Sequence, residues 1–133
     1  MASIFSKIVA GEIPCYKLAE DEQFLAFLDI NPVVRGHALV IPKIEIDYYF
    51  DLSDELLSQS MIFAKKVASC IKEEVTCKRI GISVVGLEVP HAHIHLIPIN
   101  NIADMSFTNP RKQFDGQEMT KLATRIWDRF NQI

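Results

Sequence analysis

The chain has 133 residues, a size that predicts a single domain with its own hydrophobic core. Hydrophobic residues make up 49% of it and charged residues 23%, which excludes an intrinsically disordered chain. The formal net charge is −3, so the chain lacks the basic surface of a protein that binds duplex nucleic acid. A small anionic ligand is still compatible with this charge, because it needs only a local site.

The sequence has no signal for a membrane or a secreted protein. No apolar run reaches the length of about 18 residues needed to cross a bilayer, and residues 1–7 lack the basic and apolar regions of a secretory leader. We therefore expect a cytoplasmic protein that does not bind membranes. The three cysteines, Cys15, Cys70 and Cys77, are odd in number and contain no Cys-x-x-Cys pair. Free thiols are expected, rather than a disulfide framework or a thiolate zinc site.

The first third of the chain predicts a short helix followed by three strands. The helix ends before Pro14, and its apolar face consists of Phe5, Ile8 and Val9. Residues 16–20 and 24–28 indicate two short strands that form a hairpin. Residues 37–41 form an apolar run stopped by a proline, which is typical of a buried strand.

The rest of the chain predicts one long helix, two more strands and a C-terminal helix. Residues 52–75 carry apolar side chains at helical spacing, with Ser53 as a candidate N-cap. Residues 80–85 and 91–99 indicate strands, and a final helix covers about residues 115–131. We therefore predict an α+β fold: an antiparallel sheet of about five strands with one long central helix and short N-terminal and C-terminal helices.

Three of the four histidines fall within five residues, in the segment His91-Ala92-His93-Ile94-His95, here called the histidine row. Side chains alternate between the two faces of a strand, so the three imidazoles should project from one face while Ala92 and Ile94 point into the core. Imidazole titrates near neutral pH and can act as a nucleophile, an acid or a base. The row is therefore a candidate reactive centre.

The residues alone leave three interpretations of the histidine row open. The imidazoles could be solvated side chains on an exposed sheet face. A His-x-His pair can also bind zinc through two ring nitrogens, with Glu88 or Asp29 as a candidate carboxylate ligand. The third interpretation is group transfer at phosphorus through a histidine nucleophile.

Residues 91–97, His-Ala-His-Ile-His-Leu-Ile, resemble the motif of the histidine triad (HIT) family, in which histidine alternates with apolar residues. The similarity continues in ordered blocks over residues 4–14, 25–32 and 36–43. These blocks resemble the Hint-like branch of the family, as found in bacterial-type HIT proteins. The resemblance implies one HIT domain over residues 1–133, with the C-terminal helix as an extension.

The resemblance implies cleavage at the α-phosphate of a purine nucleotide, AMP-like or GMP-like, with no cofactor and no metal. His93 would attack phosphorus and form a covalent nucleotidyl-histidine, which water then hydrolyses. His95 would stabilise charge or donate a proton at the leaving group. His91 and His37 would complete the cluster around the phosphoryl oxygens, and imidazoles together with backbone amides would supply the positive potential at the phosphate.

The resemblance also assigns residues to nucleotide binding. Asp29 would hold the ribose hydroxyls, although an Asp ahead of Asn-Pro is equally typical of a turn. The residues that would sandwich the base are Phe5, Ile8, Phe27 and Leu39, with Ile30 and Glu88 as further contacts. Taken singly, each of the four base-contacting residues is more typical of a core position.

Three functions follow from the resemblance, and the sequence does not separate them. The first is hydrolase or transferase action on a nucleoside phosphoramidate or a related adenylate. The second is hydrolysis of a dinucleoside polyphosphate. The third is regulatory binding of a purine nucleotide with weak catalysis. The family pattern further implies a homodimer formed through the long helix and a strand edge, with no nucleic-acid partner.

The chain departs from the family pattern at three places. Leu87 stands where Gln is usual in a shortened loop before the triad, and loss of a donor to a phosphate can lower the rate by about 100-fold. Ser3 and Ser6 stand where some bacterial relatives have Cys-x-x-Cys, which disfavours a structural zinc. The polar segment 100–113 matches the family least. Its Arg111 or Lys112 could reach a phosphate, in this subunit or a neighbouring one, but free surface charges are the more typical case.

Overall fold

The computed structural model describes residues 2–133, which form three α-helices, five strands and two short 3₁₀ helices. The α-helices are α1 (Ile4–Val9), α2 (Asp54–Glu74) and α3 (Gly116–Phe130). The strands are β1 (Lys17–Glu20), β2 (Phe24–Leu28), β3 (Ala38–Pro42), β4 (Arg79–Ser83) and β5 (Ile94–Ile99). The 3₁₀ helices cover Tyr49–Asp51 and Ile102–Met105. The predicted α+β class is confirmed.

The five strands form one antiparallel sheet in the spatial order β1-β2-β3-β5-β4. The chain leaves β3, passes through α2 to the edge strand β4, and returns as β5 between β3 and β4. Helix α2 packs on the sheet through the stripe of Phe63, Val67 and Ile71 that its apolar spacing predicts. Side chains of Ser53 and Asp115 cap α2 and α3 by accepting backbone N–H bonds.

Both faces of the sheet are buried, which explains why every residue of β2 is buried. Alternate residues of β2 belong to different clusters. Phe24 and Leu28 join the main core under α2 and α3, whereas Leu25 and Phe27 join a smaller cluster with Phe5 of α1. The short helix α1 thus covers the second face of the sheet, and the candidate site lies on that face.

The strand boundaries around the histidine row differ from the prediction. Strand β5 begins three residues later than predicted, at Ile94, and β4 ends two residues earlier, at Ser83. Ahead of Ile94 the backbone leaves the sheet, because the N–H of Ala92 donates to the carbonyl of Ile46 in the segment after β3. The last residue pair between β4 and β5 is Ser83 with His95, so β4 ends opposite the start of β5.

The side chains of the histidine row nevertheless alternate as predicted. Ala92 and Ile94 are buried in the main core, under α2 and α3. On the opposite side, the rings of His91 and His93 lie against Phe5, with centroid separations of 5.9 and 5.1 Å. An extended backbone is therefore enough to produce the alternation, even where no strand is formed.

The three cysteines are free thiols, with Cys70 buried in the main core and Cys15 and Cys77 partly exposed. Burial raises the pKa of the thiols of Cys15 and Cys70, so these thiols are less ionised than an exposed cysteine.

In the stretch from residue 2 to residue 133, no helix combines the length and the apolar character needed to cross a membrane.

Gly36 precedes β3 in a conformation and a space that suit only glycine. Its φ is +91°, and an added Cβ would lie 3.0 Å from Cγ2 of Val75 and 3.1 Å from Cγ of Pro98. Gly36→Ala should therefore lower the free energy of unfolding by about 2–5 kcal/mol, from backbone strain and steric overlap together. Gly11→Ala is the matched control, because Gly11 has φ +80° with open space around it. It should cost about 1–2 kcal/mol in the same urea titration, and equal losses would contradict the packing at Gly36.

Candidate active site

A cavity of about 580 Å³ opens on the sheet face that α1 covers. Its volume is within the range of sites that bind small molecules. Nine of the eleven predicted site residues line it: Phe5, Ile8, Phe27, Asp29, Ile30, Leu39, Glu88, His93 and His95. The other two, His37 and His91, are fully buried and lie behind the wall. The prediction that they surround the phosphoryl oxygens is wrong in this respect, because their rings do not reach the cavity.

Asp29 lies where β2 ends and the chain turns toward β3. Its Oδ1 accepts the N–H of Asn31 at 2.8 Å, so Asp29 forms the turn that its sequence context predicts. Its Oδ2 lies 3.6 Å from Nε2 of His37 and 3.9 Å from Nη1 of Arg111. Burial raises the pKa of this carboxyl, while the bond from Asn31 and the charge of Arg111 oppose the shift. The two oxygens have different surroundings, so a turn role and a ligand role are compatible.

The ring of His93 is oriented by the backbone of His91. Its Nδ1 lies 2.7 Å from the His91 carbonyl oxygen, and because a carbonyl can only accept, this nitrogen carries the proton. Phe5 meets the ring edge-on, with centroids 5.1 Å apart. In neutral His93 the lone pair is therefore on Nε2, on a ring that lines the cavity. An unprotonated imidazole nitrogen is suited to nucleophilic attack.

His37 and His95 form a buried pair whose protons are determined by one backbone group. The N–H of Val33 donates to Nδ1 of His37 at 3.1 Å, so neutral His37 has its proton on Nε2. That Nε2 lies 2.9 Å from Nδ1 of His95, which must then be the acceptor. His95 therefore has its proton on Nε2, and it offers an N–H donor to the cavity that it lines.

His91 has a partner on each ring nitrogen. Its Nε2 lies 2.8 Å from the carbonyl oxygen of Pro42, so Nε2 donates. Its Nδ1 lies 2.9 Å from Oγ of Ser3, so in the neutral ring Nδ1 accepts from the serine hydroxyl. Since both nitrogens are used inside the protein, His91 has no ring atom left for a ligand, and its contribution to the cavity is its carbonyl bond to His93.

Burial keeps three of the four imidazoles uncharged at neutral pH. Desolvation lowers the pKa of His37 to about 3 and that of His95 to about 4, and repulsion from neighbouring imidazoles and Arg111 acts in the same direction. Desolvation also lowers the pKa of His91, although the Pro42 carbonyl opposes it. These three imidazoles therefore do not supply the predicted positive potential, and His95 contributes a neutral N–H donor instead.

Two residues of the divergent segment complete the cavity wall. Phe107 packs on His95 with ring centroids 4.6 Å apart, and the guanidinium of Arg111 lies 5.7 Å from the Phe107 ring. Arg111 also donates to the carbonyl of Asn31 at 2.7 Å. Of the two predicted alternatives for Arg111, a free surface charge is wrong, because its side chain lines the cavity. Phe107 was not predicted, because the segment has no hydrophobic period and its contacts reach far back along the chain.

A family model described as HIT domain matches residues 10–102 of this chain. The chain belongs to the histidine triad family. It is 43% identical over 102 residues to protein hit of Bacillus subtilis, covering 71% of this chain and 69% of that protein. It is 44% identical over 102 residues to an adenosine 5'-monophosphoramidase of Schizosaccharomyces pombe, covering 76% of this chain and 77% of that protein. A zinc-bound histidine triad family protein from Mycobacterium smegmatis matches with a TM-score of 0.84 and 28% identity, over 99% of this chain and 95% of that one.

The matched HIT domain contains the histidine row but not the whole cavity wall. Phe5 and Ile8 lie before the matched region, and Phe107 and Arg111 lie after it. These four residues contact the cavity at positions next to the row and next to Asp29. The matched region thus contains the histidine row, and the flanking segments of this chain supply part of the cavity wall.

Among residues 2–133, one group of side chains at and behind the cavity wall has the donor types that bind metals. Its members, Asp29, His37 and His95, place one donor atom each within 4.8 Å of one another. A cation on Nε2 of His37 would need the lone pair on that nitrogen. The N–H of Val33 already requires the lone pair of the same ring on Nδ1, and a neutral imidazole does not offer both. The donor set therefore does not fit a divalent cation.

The buried histidines should make the fold less stable in mild acid. Below the ordinary pKa of 6.5, the unfolded chain binds protons that folded His37 and His95 take up only near pH 3–4. The free energy of unfolding should therefore decrease as pH falls from about 6.5 to about 4, by up to about 1.4 kcal/mol per pH unit for each histidine. Urea titrations at about pH 7 and about pH 5 measure this change.

His37→Asn separates this effect from other titrations. Asn keeps an acceptor for the N–H of Val33 but has no ionisable ring. The variant should show a shallower loss of stability between about pH 6.5 and pH 5, above the range in which carboxylates titrate. The same slope in both proteins would contradict the assignment of this acid sensitivity to His37.

Proposed function

We propose that this HIT protein is a nucleotidyl hydrolase or transferase that cleaves at the α-phosphate of a nucleoside phosphoramidate or a related adenylate. The observation that carries the proposal is the bond from Nδ1 of His93 to the His91 carbonyl, which leaves the Nε2 lone pair for attack on phosphorus. The relatives named adenosine 5'-monophosphoramidases support this substrate class.

In the proposed first step, a bond forms between Nε2 of His93 and phosphorus while the bond from phosphorus to the leaving nitrogen breaks. The leaving nitrogen takes up a proton from solvent, while the Nε2–H of neutral His95 on the cavity wall donates a hydrogen bond to it. Water then attacks phosphorus, the bond from phosphorus to Nε2 of His93 breaks, a proton is lost to solvent and the nucleoside monophosphate is released. His37 and His91 act by orientation, since the first bonds to His95 and the second to His93.

The nucleoside would occupy the apolar part of the cavity. Phe5, Ile8, Phe27 and Leu39 provide apolar side chains, with Ile30 and Glu88 at the margin. Asp29 would accept hydrogen bonds from the ribose hydroxyls through Oδ2, because Oδ1 is bonded to Asn31. Arg111 is the cationic side chain among the lining residues of the described chain, so it would favour an anionic ligand.

A second candidate is a purine nucleotide-binding protein with weak catalysis and a regulatory role. One observation favours it: Leu87 is 89% exposed on the loop that borders the cavity, and its side chain has no hydrogen-bond donor for a phosphate. Hydrolysis of a dinucleoside polyphosphate uses the same attack on phosphorus with a different leaving group. The experiment below separates binding from turnover.

We further propose that the protein is a cytoplasmic homodimer. Strand β4 is at the edge of the sheet, and its outer side would pair with β4 of a second copy of this chain. Exposed apolar side chains at and beyond this edge, Ile82, Val84 and Val85, support such pairing. The free cysteines support a reducing compartment.

The proposal predicts a covalent intermediate on His93. After brief incubation with adenosine 5'-phosphoramidate, intact-mass analysis should show a fraction of the protein with one added adenylyl group. The adduct should be absent in His93→Ala, because the attacking nitrogen is lost. In His95→Ala it should form more slowly, by a factor of about 10²–10³, because the hydrogen-bond donor to the leaving group is lost.

Two outcomes would contradict this prediction. An adduct that persists in His93→Ala would place the nucleophile elsewhere. Tight nucleotide binding, measured by calorimetry, with neither adduct nor turnover would support the regulatory binding protein instead.

A further prediction concerns sugar recognition by Asp29. Arg111 lies beside this half-buried carboxylate and favours its charged form. Arg111→Ala should therefore weaken acceptance of the ribose hydroxyls, and the preference for adenosine over 2'-deoxyadenosine substrates should fall by about threefold to tenfold in kcat/KM. Lys112→Ala is the matched control, since the contact of Lys112 with the Pro32 carbonyl is made by its backbone N–H. An unchanged preference in Arg111→Ala would contradict this role.

A further inference from the structure

A hydrogen-bonded cluster outside the cavity connects the start of α1 to the histidine row. It consists of Ser3, Ser6, Glu45 and His91 and is here called the N-terminal clasp. The hydroxyl of Ser3 lies 2.9 Å from Nδ1 of His91, and the hydroxyl of Ser6 donates to Oε1 of Glu45 at 2.7 Å. The backbone N–H of Ser3 also donates to Oε1 of Glu45. Ser3 is buried, whereas Glu45 is exposed to solvent.

The proton positions in the clasp follow from its fixed donors and acceptors. His91 must donate from Nε2 to the Pro42 carbonyl, so its Nδ1 must accept the proton of the Ser3 hydroxyl. The same Ser3 oxygen accepts the backbone N–H of Ser6 at 3.0 Å, as an N-cap does. Ser3 thus has two separate functions: its lone pair starts the helix, and its proton holds the histidine ring.

Glu45 connects the clasp to the segment that follows β3. Its hydrogen bonds from Ser3 and Ser6 lower the pKa of its carboxyl to about 2, so it is ionised at neutral pH. The carbonyl of Pro42, the last residue of β3, accepts from His91, and the carbonyl of Ile46 accepts from the N–H of Ala92. Three residues of the short stretch 42–46 therefore hold both α1 and the start of the histidine row.

The clasp acts on the cavity through two connections. The clasp holds the ring of His91, and the backbone carbonyl of His91 accepts a hydrogen bond from Nδ1 of His93 at 2.7 Å. Phe5, on the helix that Ser3 caps, meets the rings of His91 and His93 edge-on. A rotation of the His91 ring or a shift of α1 would therefore change the direction of the His93 lone pair. Misplacement of a reacting group by about 1 Å can lower a rate by about 100-fold.

We infer that Ser3 and Glu45 are positioning residues, which hold His91 in one orientation and thereby direct Nε2 of His93 at phosphorus. Ser6 assists by completing the bonds of Glu45. The inference rests on the proposed function, in which His93 is the nucleophile. Ser3 would also be needed if the clasp did nothing more than cap α1. The test must therefore separate the effect of the Ser3 hydroxyl proton on His91 from the effect of the Ser3 lone pair on the helix cap.

The test compares turnover of adenosine 5'-phosphoramidate by three variants at Ser3 and Glu45. Ser3→Ala should lower kcat by about tenfold with KM within about twofold of the original value, because alignment is lost and binding is not. Ser3→Thr keeps the hydroxyl and should restore most of kcat. Glu45→Ala should lower kcat by about threefold, and Glu45→Gln, which keeps the acceptor oxygen, should not.

Ser53→Ala is the matched control for loss of a helix cap. Ser53 caps α2 by accepting the N–H of Leu56 and does not line the cavity. Its replacement should lower stability by about 1 kcal/mol, which corresponds to the loss of one N-cap bond, and leave kcat unchanged. An equal loss of kcat in Ser53→Ala and Ser3→Ala would overturn the inference, because the effect would then come from helix stability alone.

A readout that does not need activity keeps the inference separate from the proposed function. Nitrogen-15 NMR of the imidazole rings should show His91 protonated on Nε2 in both proteins, because the Pro42 carbonyl fixes that proton, and the Nδ1 resonance of His91 should shift in Ser3→Ala, because its hydrogen bond from the Ser3 hydroxyl is lost. A protein without turnover but with this change at His91 would reject the proposed function and keep the clasp. A protein with turnover in which Ser3→Ala changes neither kcat nor the His91 resonances would overturn the clasp.

Discussion

A neutral imidazole carries one proton on two nitrogens, and this constraint determines how the site is arranged. Three of the four rings have one nitrogen bonded to a backbone group that can only donate or only accept: the Val33 N–H for His37, the Pro42 carbonyl for His91 and the His91 carbonyl for His93. The fourth ring, His95, is then determined by His37. Backbone groups, which cannot change their role, thus assign the proton of every histidine.

The fold provides these backbone groups because the sheet is covered on both faces. The main core under α2 and α3 holds β3 and β5 in place from one side. The smaller cluster with Phe5 and Phe27 holds α1 against the other side, where the rings lie. Desolvation by this packing lowers the pKa of His37 and His95, so burial and proton assignment have a common cause. Loosening the second face would affect both.

The local sequence pattern predicts the helices, the strands and the alternation of the histidine row. It does not predict the residues that surround the row. The period of two placed Ala92 and Ile94 in the core correctly, although β5 starts only at Ile94. The partners that assign the protons could not be predicted. Val33 is an apolar residue whose backbone N–H, not its side chain, bonds to His37. Ser3 lies 88 positions from His91 in the chain. Arg111 likewise reaches Asn31 across 80 positions. Such contacts depend on the packing of distant segments, which a local pattern does not contain.

The neutral cavity has a consequence for an anionic ligand. Protonation of His95 at pH 7 would require its pKa to rise by about three units from about 4, which corresponds to about 4 kcal/mol. One phosphate charge at about 4 Å supplies about 4 kcal/mol at an effective dielectric constant of about 20. The two energies nearly cancel, but protonation would also place an N–H on Nδ1 of His95, facing the Nε2–H of His37 that the Val33 N–H holds on that nitrogen. With a singly charged phosphate, His95 therefore stays mainly neutral, and it meets the ligand as an N–H donor.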